Sequence, residues 1–184
     1  MTETSRSLVE AALESETAFA AIVDRHKSMV YSIAHSFFHD RAGAEDLAQD
    51  VFLELFRNLG TIESDAHLAN WLRQAAARKC IDQARRRHRH PHASLEEVAE
   101  PSSEPRPHDP FLAALLRKRL LALPARRRLI LILRFQEDLE LEEIARLLRI
   151  PLNTVKSTLH RTLAALNRRL SFIREEDRYG TARG

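Results

Sequence analysis

Glycine, cysteine and long apolar runs are all scarce in this 184-residue chain. The four glycines stand at 43, 60, 180 and 184, and none belongs to a Gly-rich loop of the kind that cradles phosphates. The single cysteine, Cys80, has no partner for an internal disulfide. No apolar stretch approaches the roughly 18 residues of a membrane span, and no basic start leads into a signal segment. These absences predict a cytoplasmic protein of a reducing compartment, without membrane insertion. An excess of one charge is also lacking, since 29 Lys and Arg face 26 Asp and Glu for a net charge of +3. The chain is no polycation, so any functional charge must be local. No nucleophile motif or paired acid/base carboxylates in an apolar setting occur, which predicts no catalytic residue, no enzyme and no cofactor.

What is present is helical. Ala, Leu, Arg, Glu and Gln dominate, with apolar spacings of three and four and almost no β-branched alternation. Five of the seven prolines fall between Pro91 and Pro110, where each removes a backbone donor and restricts the residue before it. The prediction is an all-α chain of two small helical domains joined by a Pro-rich linker. Its divisions are an N-terminal tail or helix start over 1–15, a first domain over 16–89, the linker over 90–112, a second domain over 113–173 and a tail over 174–184.

In the first domain, "AEDLAQDVFLELFRNLG" from Ala44 repeats Leu47, Val51 and Leu55 at four-residue steps, with Phe52 and Phe56 widening the apolar stripe. The opposite ridge carries Asp46, Asp50 and Glu54, with no basic residue between Ala44 and Leu55. Such a ridge is either a solvated face or an acidic docking surface for a basic partner helix.

After a polar loop, "TIESDAHLAN", comes a helix headed by Trp71, "WLRQAAARKCIDQARRRHR". Leu72, Ala76, Cys80, Ala77, Ile81 and Ala84 form its seam, which turns Cys80 inward. Arg78, Lys79, Gln83, Arg85 and Arg86 gather opposite. Seven Lys and Arg stand between Arg73 and Arg89 against one acid, Asp82, an electrostatic footprint for phosphates. Trp71 is either a core anchor or a platform on which an unpaired base stacks. His67 and Asn70 in the loop carry groups that can read a splayed base. The run "RRRHRHPH" at 85–92 divides into a helix end and, from His88, a linker start. Metal binding by Cys80 with His88, His90, His92 and His108 lacks a fixed ligand geometry, so no metal site is expected.

The second domain reads "LPARRRLILILRFQEDLELEEIARLLRIPLNTVKSTLHRTLAALNRRL". A helix over 126–135 precedes a short one with Leu141, Ile144, Ala145 and Leu148 inward. After the break at "RIP", Leu152, Val155, Leu159, Leu163, Leu166 and Leu170 line the next helix and leave Asn153, Lys156, Ser157, His160 and Arg161 outward. This is a helix-turn-helix pattern with donors at the start of its second helix. A plain helical hairpin has the same spacing.

Together the three segments, "AEDLAQDVFLELF", "WLRQAAARKCIDQARRR" and "LPARRRLILILRF...LEEIARLLRIPLNTVKSTLHR", resemble bacterial sigma factors of the sigma-70 family, extracytoplasmic-function subgroup, which carry sigma regions 2 and 4. The resemblance spans about residues 16–89 and 113–173. It implies that Asp46, Gln49, Asp50 and Leu53 meet core RNA polymerase. It implies that His67, Asn70, Trp71, Arg78, Lys79, Gln83, Arg85 and Arg86 hold the non-template strand of the minus-10 element as it opens. It further implies that Asn153, Lys156, Ser157, His160 and Arg161 enter the minus-35 major groove, with Arg134 on the DNA backbone. An anti-sigma factor is an implied third partner, beside polymerase and promoter DNA. Without polymerase engagement the same chain would read as a helix-turn-helix transcriptional regulator.

Several positions depart from the family pattern. Gly43 stands for a frequent Asp, Arg78 for Asn, Asp138 and Glu140 for Gly and Ser, Arg149 for Gly, and Thr158 and Leu163 for arginines. Arg149 must then take a left-handed or altered turn, and Glu140 caps a helix less well than Ser. An ordinary fold with an unusual promoter preference is expected. The linker's acids, Glu96, Glu97, Glu100, Glu104 and Asp109, suit a segment threaded into a nucleic-acid channel by analogy with the family; a plain tether fits equally.

Overall fold

The computed structural model describes residues 8–89 and 110–180. The described residues are helical, apart from short turns and a 3-10 turn, Leu59–Thr61. The first unit comprises α1 (Leu8–Ala12), α2 (Glu16–Phe38), α3 (Arg41–Asn58) and α4 (Asp65–Arg89); the second comprises α5 (Pro110–Leu121), α6 (Ala125–Phe135), α7 (Leu141–Leu148) and α8 (Leu152–Gly180). The linker acids, with His90, His92 and His108, lie outside the described residues.

Local chemistry sets the breaks. At the end of α2, His39 adopts a left-handed conformation (φ 52°) and its N–H returns to His35 O at 2.7 Å. Asp40 then starts α3, its carboxylate accepting the Gly43 N–H at 2.8 Å, which satisfies one of the orphan donors of the first turn. Gly43 matters here because a Cβ at this position would run into the Asp40 carboxylate and come within 3.1 Å of Arg87 Nη2. In the second unit, Arg149 closes α7 at φ 52°. Its N–H bonds Arg146 O at 3.2 Å and the Ile150 N–H bonds Ala145 O at 3.0 Å, the paired bonds of a Schellman end. The left-handed turn expected for Arg149 is present. Asp138, between α6 and α7, is likewise left-handed (φ 51°).

Packing follows the apolar stripes. Leu47, Val51, Phe52 and Leu55 of α3 are buried, as are Leu72, Ala76, Ala77 and Cys80 of α4. Helix α6 differs from the others, because five consecutive residues, Leu129 through Leu133, are all buried. A helix apolar all round must be covered all round, and α6 touches α2 and α4 of the first unit as well as α7 and α8 of its own. Buried residues of both units therefore join one continuous core.

The structure corrects several expectations. Helix α4 begins at Asp65, not at Trp71: Ser64 Oγ accepts the His67 N–H at 3.1 Å and starts the helix six residues earlier. His67 and Asn70 are thus helical rather than in a loop. The helix also runs through His88 to Arg89, past the point at which it was expected to end. Phe56, placed in the apolar stripe of α3, is 62% exposed, and Leu163 of α8 is 39% exposed. Phe56 keeps only an edge-on contact with Phe19 of α2 at 5.2 Å, so the apolar stripe is wider than the surface its neighbours cover.

Candidate nucleic-acid interface

Helix α4 carries the residues expected to meet the minus-10 element, and two different neighbours face it. On one side stands α3. Lys79 Nζ lies 3.6 Å from Asp50 Oδ2 and 3.3 Å from Glu54 Oε2, while Arg78 Nη2 pairs with Glu54 Oε1. These residues, with Asp46, Gln83 and Arg86, line a cleft of about 500 Å³. The acidic and basic faces are therefore opposite walls of one groove. Glu54 sits between two cations, so the ridge is not unpaired along its length. Half-exposed pairs of this type contribute roughly 0–1 kcal/mol each, so a phosphate or a polymerase cation can exchange with them at little cost.

On the other side of α4 lies α7. His67, Asn70, Trp71 and Gln74 form one wall of a cleft of about 360 Å³, and Leu139, Glu143, Arg146 and Leu147 form the other. Trp71 is half-buried and packs against the core with one part of its surface while lining this cleft with another. The core-anchor and platform readings of Trp71 are thus compatible in one side chain. His67 Nδ1 accepts the Glu63 N–H at 3.2 Å, which leaves its Nε2 as the donor toward a ligand. Arg85 and Arg86 are exposed on the last turns of α4.

Arg87 behaves differently from its neighbours. Its guanidinium pairs with Asp40 at 2.7 Å and lies 4.6 Å from the centre of the Phe38 ring. It is a fastener of the first unit, not a free cation. Cys80 is fully buried, and burial pushes its thiol up to about 12. The protonated thiol is neither ligand nor nucleophile at neutral pH. Among the described residues no group of three His, Cys, Asp or Glu is placed to hold a metal ion.

On α3, Asp46, Gln49, Asp50 and Leu53 are all exposed. Leu53 and Phe56 add apolar surface to this face at 48% and 62% exposure, and Phe56 meets Phe19 edge-on at 5.2 Å. On α8, Asn153, Lys156, His160 and Arg161 are exposed and Ser157 is half-buried. Arg161 folds back along the helix, its Nε donating to Ser157 O and its Nη2 contacting Ser157 Oγ, both at 3.0 Å. Arg134 is held on the turn before α7, donating to Leu139 O at 2.9 Å and pairing with Glu140 at 3.2 Å. The structure thus places the predicted residues on α3, on two sides of α4 and on α8 with the turn before α7; only the α3 face and the Arg78–Lys79 side of α4 adjoin, and His67, Asn70 and Trp71 are set apart from them.

The family model for sigma-70 region 2 matches residues 22–90, and that for sigma-70 region 4 matches residues 113–166. The chain is similar to the RNA polymerase sigma factor SigV of Bacillus subtilis, 30% identical over 146 residues, covering 79% of this chain and 87% of that protein. It is also similar to the ECF RNA polymerase sigma factor SigW of the same organism, 27% identical over 168 residues, covering 84% of this chain and 90% of that protein. The chain belongs to the sigma-70 family, in its extracytoplasmic-function (ECF) subgroup. In fold, this sigma factor resembles the sigma factor RpoE solved in complex with the anti-sigma factor NepR from Bartonella quintana, at a TM-score of 0.68 and 23% identity over 83% of this chain and 96% of that one.

Sequence reasoning missed three features of this ECF factor. The start of α4 was signalled by "SD" at 64–65, a capping residue followed by a first-turn acid. The all-round burial of α6 was signalled by "LILIL", too apolar for a helix with one buried face. The fastening of Arg87 had no signal, since its partner Asp40 lies in another helix boundary.

Proposed function

We propose that this chain directs promoter-specific initiation by core RNA polymerase and performs no catalysis of its own. The observation that carries this reading is the joint groove of α3 and α4. It sets an acidic wall, Asp46, Asp50 and Glu54, with Gln49 and Leu53 exposed on the same helix, against a basic wall of Arg78, Lys79 and Arg86, while Trp71 lines the cleft on the other side of α4. A basic helix of polymerase fits the first; a displaced DNA strand fits the second. Arg78, Lys79, Gln83, Arg85 and Arg86 would hold its phosphates, and His67, Asn70 and Trp71 its bases. Stacking of an extruded base on an aromatic ring contributes about 1–3 kcal/mol, comparable with the few kcal/mol lost in unstacking it. The protein would then open the minus-10 region by trapping a strained state.

In the second unit, Lys156, Ser157, His160 and Arg161, with Asn153, would enter the minus-35 groove, while Arg134 contacts its phosphates. Phosphate contacts position the domain and base-edge contacts specify sequence. The functional divisions are a polymerase and minus-10 domain over 16–89, a linker over 90–112 and a minus-35 domain over 113–173, flanked by tails over 1–15 and 174–184. Site of action is the cytoplasm; among the described residues no helix is long and apolar enough to cross a membrane. An anti-sigma factor is the regulatory partner, by analogy with RpoE and NepR.

Run-off transcription with purified core polymerase tests the reading, on templates chosen from transcripts that rise when the protein is overproduced. Promoter-dependent starts are expected only when the chain is added. Duplex binding without any such start would favour a regulator that never engages polymerase.

A further inference from the structure

Two arginines stand where local chemistry disfavours them, and both line one cleft. Arg126 is in the first turn of α6, which holds three arginines and no acid, although the positive end of a helix dipole repels cations. Arg149 closes α7 in the left-handed conformation at φ 52°, which strains any residue with a Cβ. Arg128, in the same turn as Arg126, is accounted for by its bonds to Phe37 O at 2.6 Å and Leu123 O at 3.2 Å. The side chains of Arg126 and Arg149 have no such explanation, since among the described residues neither pairs with a carboxylate or a carbonyl.

The cleft has a volume of about 240 Å³ and is walled by α4, α6 and α7. Arg78 and Arg85 of α4 complete a lining of four arginines, with Asp82 as its one acid. Arg85 Nη1 lies 3.7 Å from Asp82 Oδ1, and Arg78 pairs with Glu54 outside the cleft. The uncompensated cations are therefore Arg126 and Arg149. Ala77, Ile81 and Leu148 add apolar surface to the walls. A cleft of one charge sign with low-dielectric walls concentrates the field and draws in counter-ions.

We propose that this cleft is a binding site for a small, multiply charged phosphate anion, held by Arg126 of α6, Arg149 of α7 and the two arginines of α4. Nothing in it requires promoter DNA, so it goes beyond the reading above. Guanidinium forks meet phosphate oxygens in pairs, and one diphosphate offers oxygens enough for donors arriving from three helices. Two turns of a partner helix, about 10 Å across and 11 Å long, fill roughly 850 Å³, which this cleft does not hold. A bound anion also explains why two local rules are broken in one place, because the helix end and the left-handed cation then share an opposite charge. Binding to the folded chain alone raises its stability by mass action.

The test is calorimetric titration of the full chain with inorganic pyrophosphate, in magnesium-free buffer at constant ionic strength, beside a thermal melt. One pyrophosphate per chain and a raised melting midpoint are expected. Arg126→Ala and Arg149→Gly should each weaken binding about tenfold, the loss of one charge-assisted contact. Each removes a locally unfavourable cation, so the midpoint without ligand should not fall, and unfolding cannot imitate loss of the site. Arg127→Ala removes an exposed cation of the same turn that does not line the cleft, and it should bind as the original chain does. Equal weakening in Arg127→Ala would overturn the site in favour of diffuse attraction. Citrate bound as tightly as pyrophosphate would overturn phosphate as the ligand class. A fall in DNA affinity as large as the fall in pyrophosphate affinity, in Arg126→Ala and Arg149→Gly alike, would give these residues to the DNA backbone and overturn the small-molecule site. Neither heat nor a shifted midpoint with pyrophosphate would sink the proposal outright.

Discussion

Arg87 Nη2 reaches Asp40 Oδ2 at 2.7 Å across 47 residues of sequence. The same carboxylate caps α3 through the Gly43 N–H. One buried acid thus ties the last turns of α4 to the first turn of α3. The two helices are fastened to each other there, and the residue without a side chain at 43 leaves room for the arrangement.

Arg87→Ala should lower stability by about 1–2 kcal/mol, because it strips a partner from a mostly buried carboxylate. Gly43→Ala should cost about 1 kcal/mol by displacing the Asp40 cap. Thermal melts of the full chain check both. An unchanged midpoint for Arg87→Ala would mean that the pair with Asp40 contributes nothing to stability.

Replacing both Asp46 and Asp50 by Lys should abolish binding to core polymerase. Each is exposed on α3, so the melting midpoint should stay within about 0.5 kcal/mol of stability. Weak binding of the same protein to duplex DNA should persist. Pull-down on immobilised core polymerase, beside a duplex titration, reads the two effects apart.

Acid should destabilise the chain through His39. Burial first, then the nearby charges of His35, Arg117 and Arg128, hold its imidazole down to about 4 from the ordinary 6.5. The depressed value means that the unfolded chain binds the proton more readily. This contribution to stability is present in full above about pH 6.5 and is lost as pH falls toward 4. His39→Asn keeps a residue tolerant of the left-handed conformation and should flatten the change in urea midpoint between those pH values. An equally steep fall in the variant would assign the effect to other groups.

Arg149→Gly should stabilise the second unit by about 1 kcal/mol, since glycine takes the left-handed end of α7 without a Cβ penalty. A rise in melting temperature with no change in the affinity for duplex DNA is expected. A fall would mean that the Arg149 side chain, which lines the smaller cleft beside α4, contributes packing there that outweighs the left-handed penalty.

The apolar steps of α3, α7 and α8 and the proline-rich break were readable from residue order alone. Periodicity is a local property: Leu47, Val51 and Leu55 must share one face of any helix they form, and Ile150 and Pro151 must follow a turn. Outward placement of Asp46, Lys156 and His160 follows from the same rule. Periodicity names the buried face but not what buries it. Only the tertiary structure put Glu54 between Arg78 and Lys79, gave Arg87 to Asp40 and set α7 against Trp71. Charge runs reveal sign and density, whereas a partner is chosen by proximity between helices far apart in sequence. The residues of "LILIL" were the local trace of that long-range choice, because five consecutive apolar residues span every side of a helix and α6 is covered there by helices of both units.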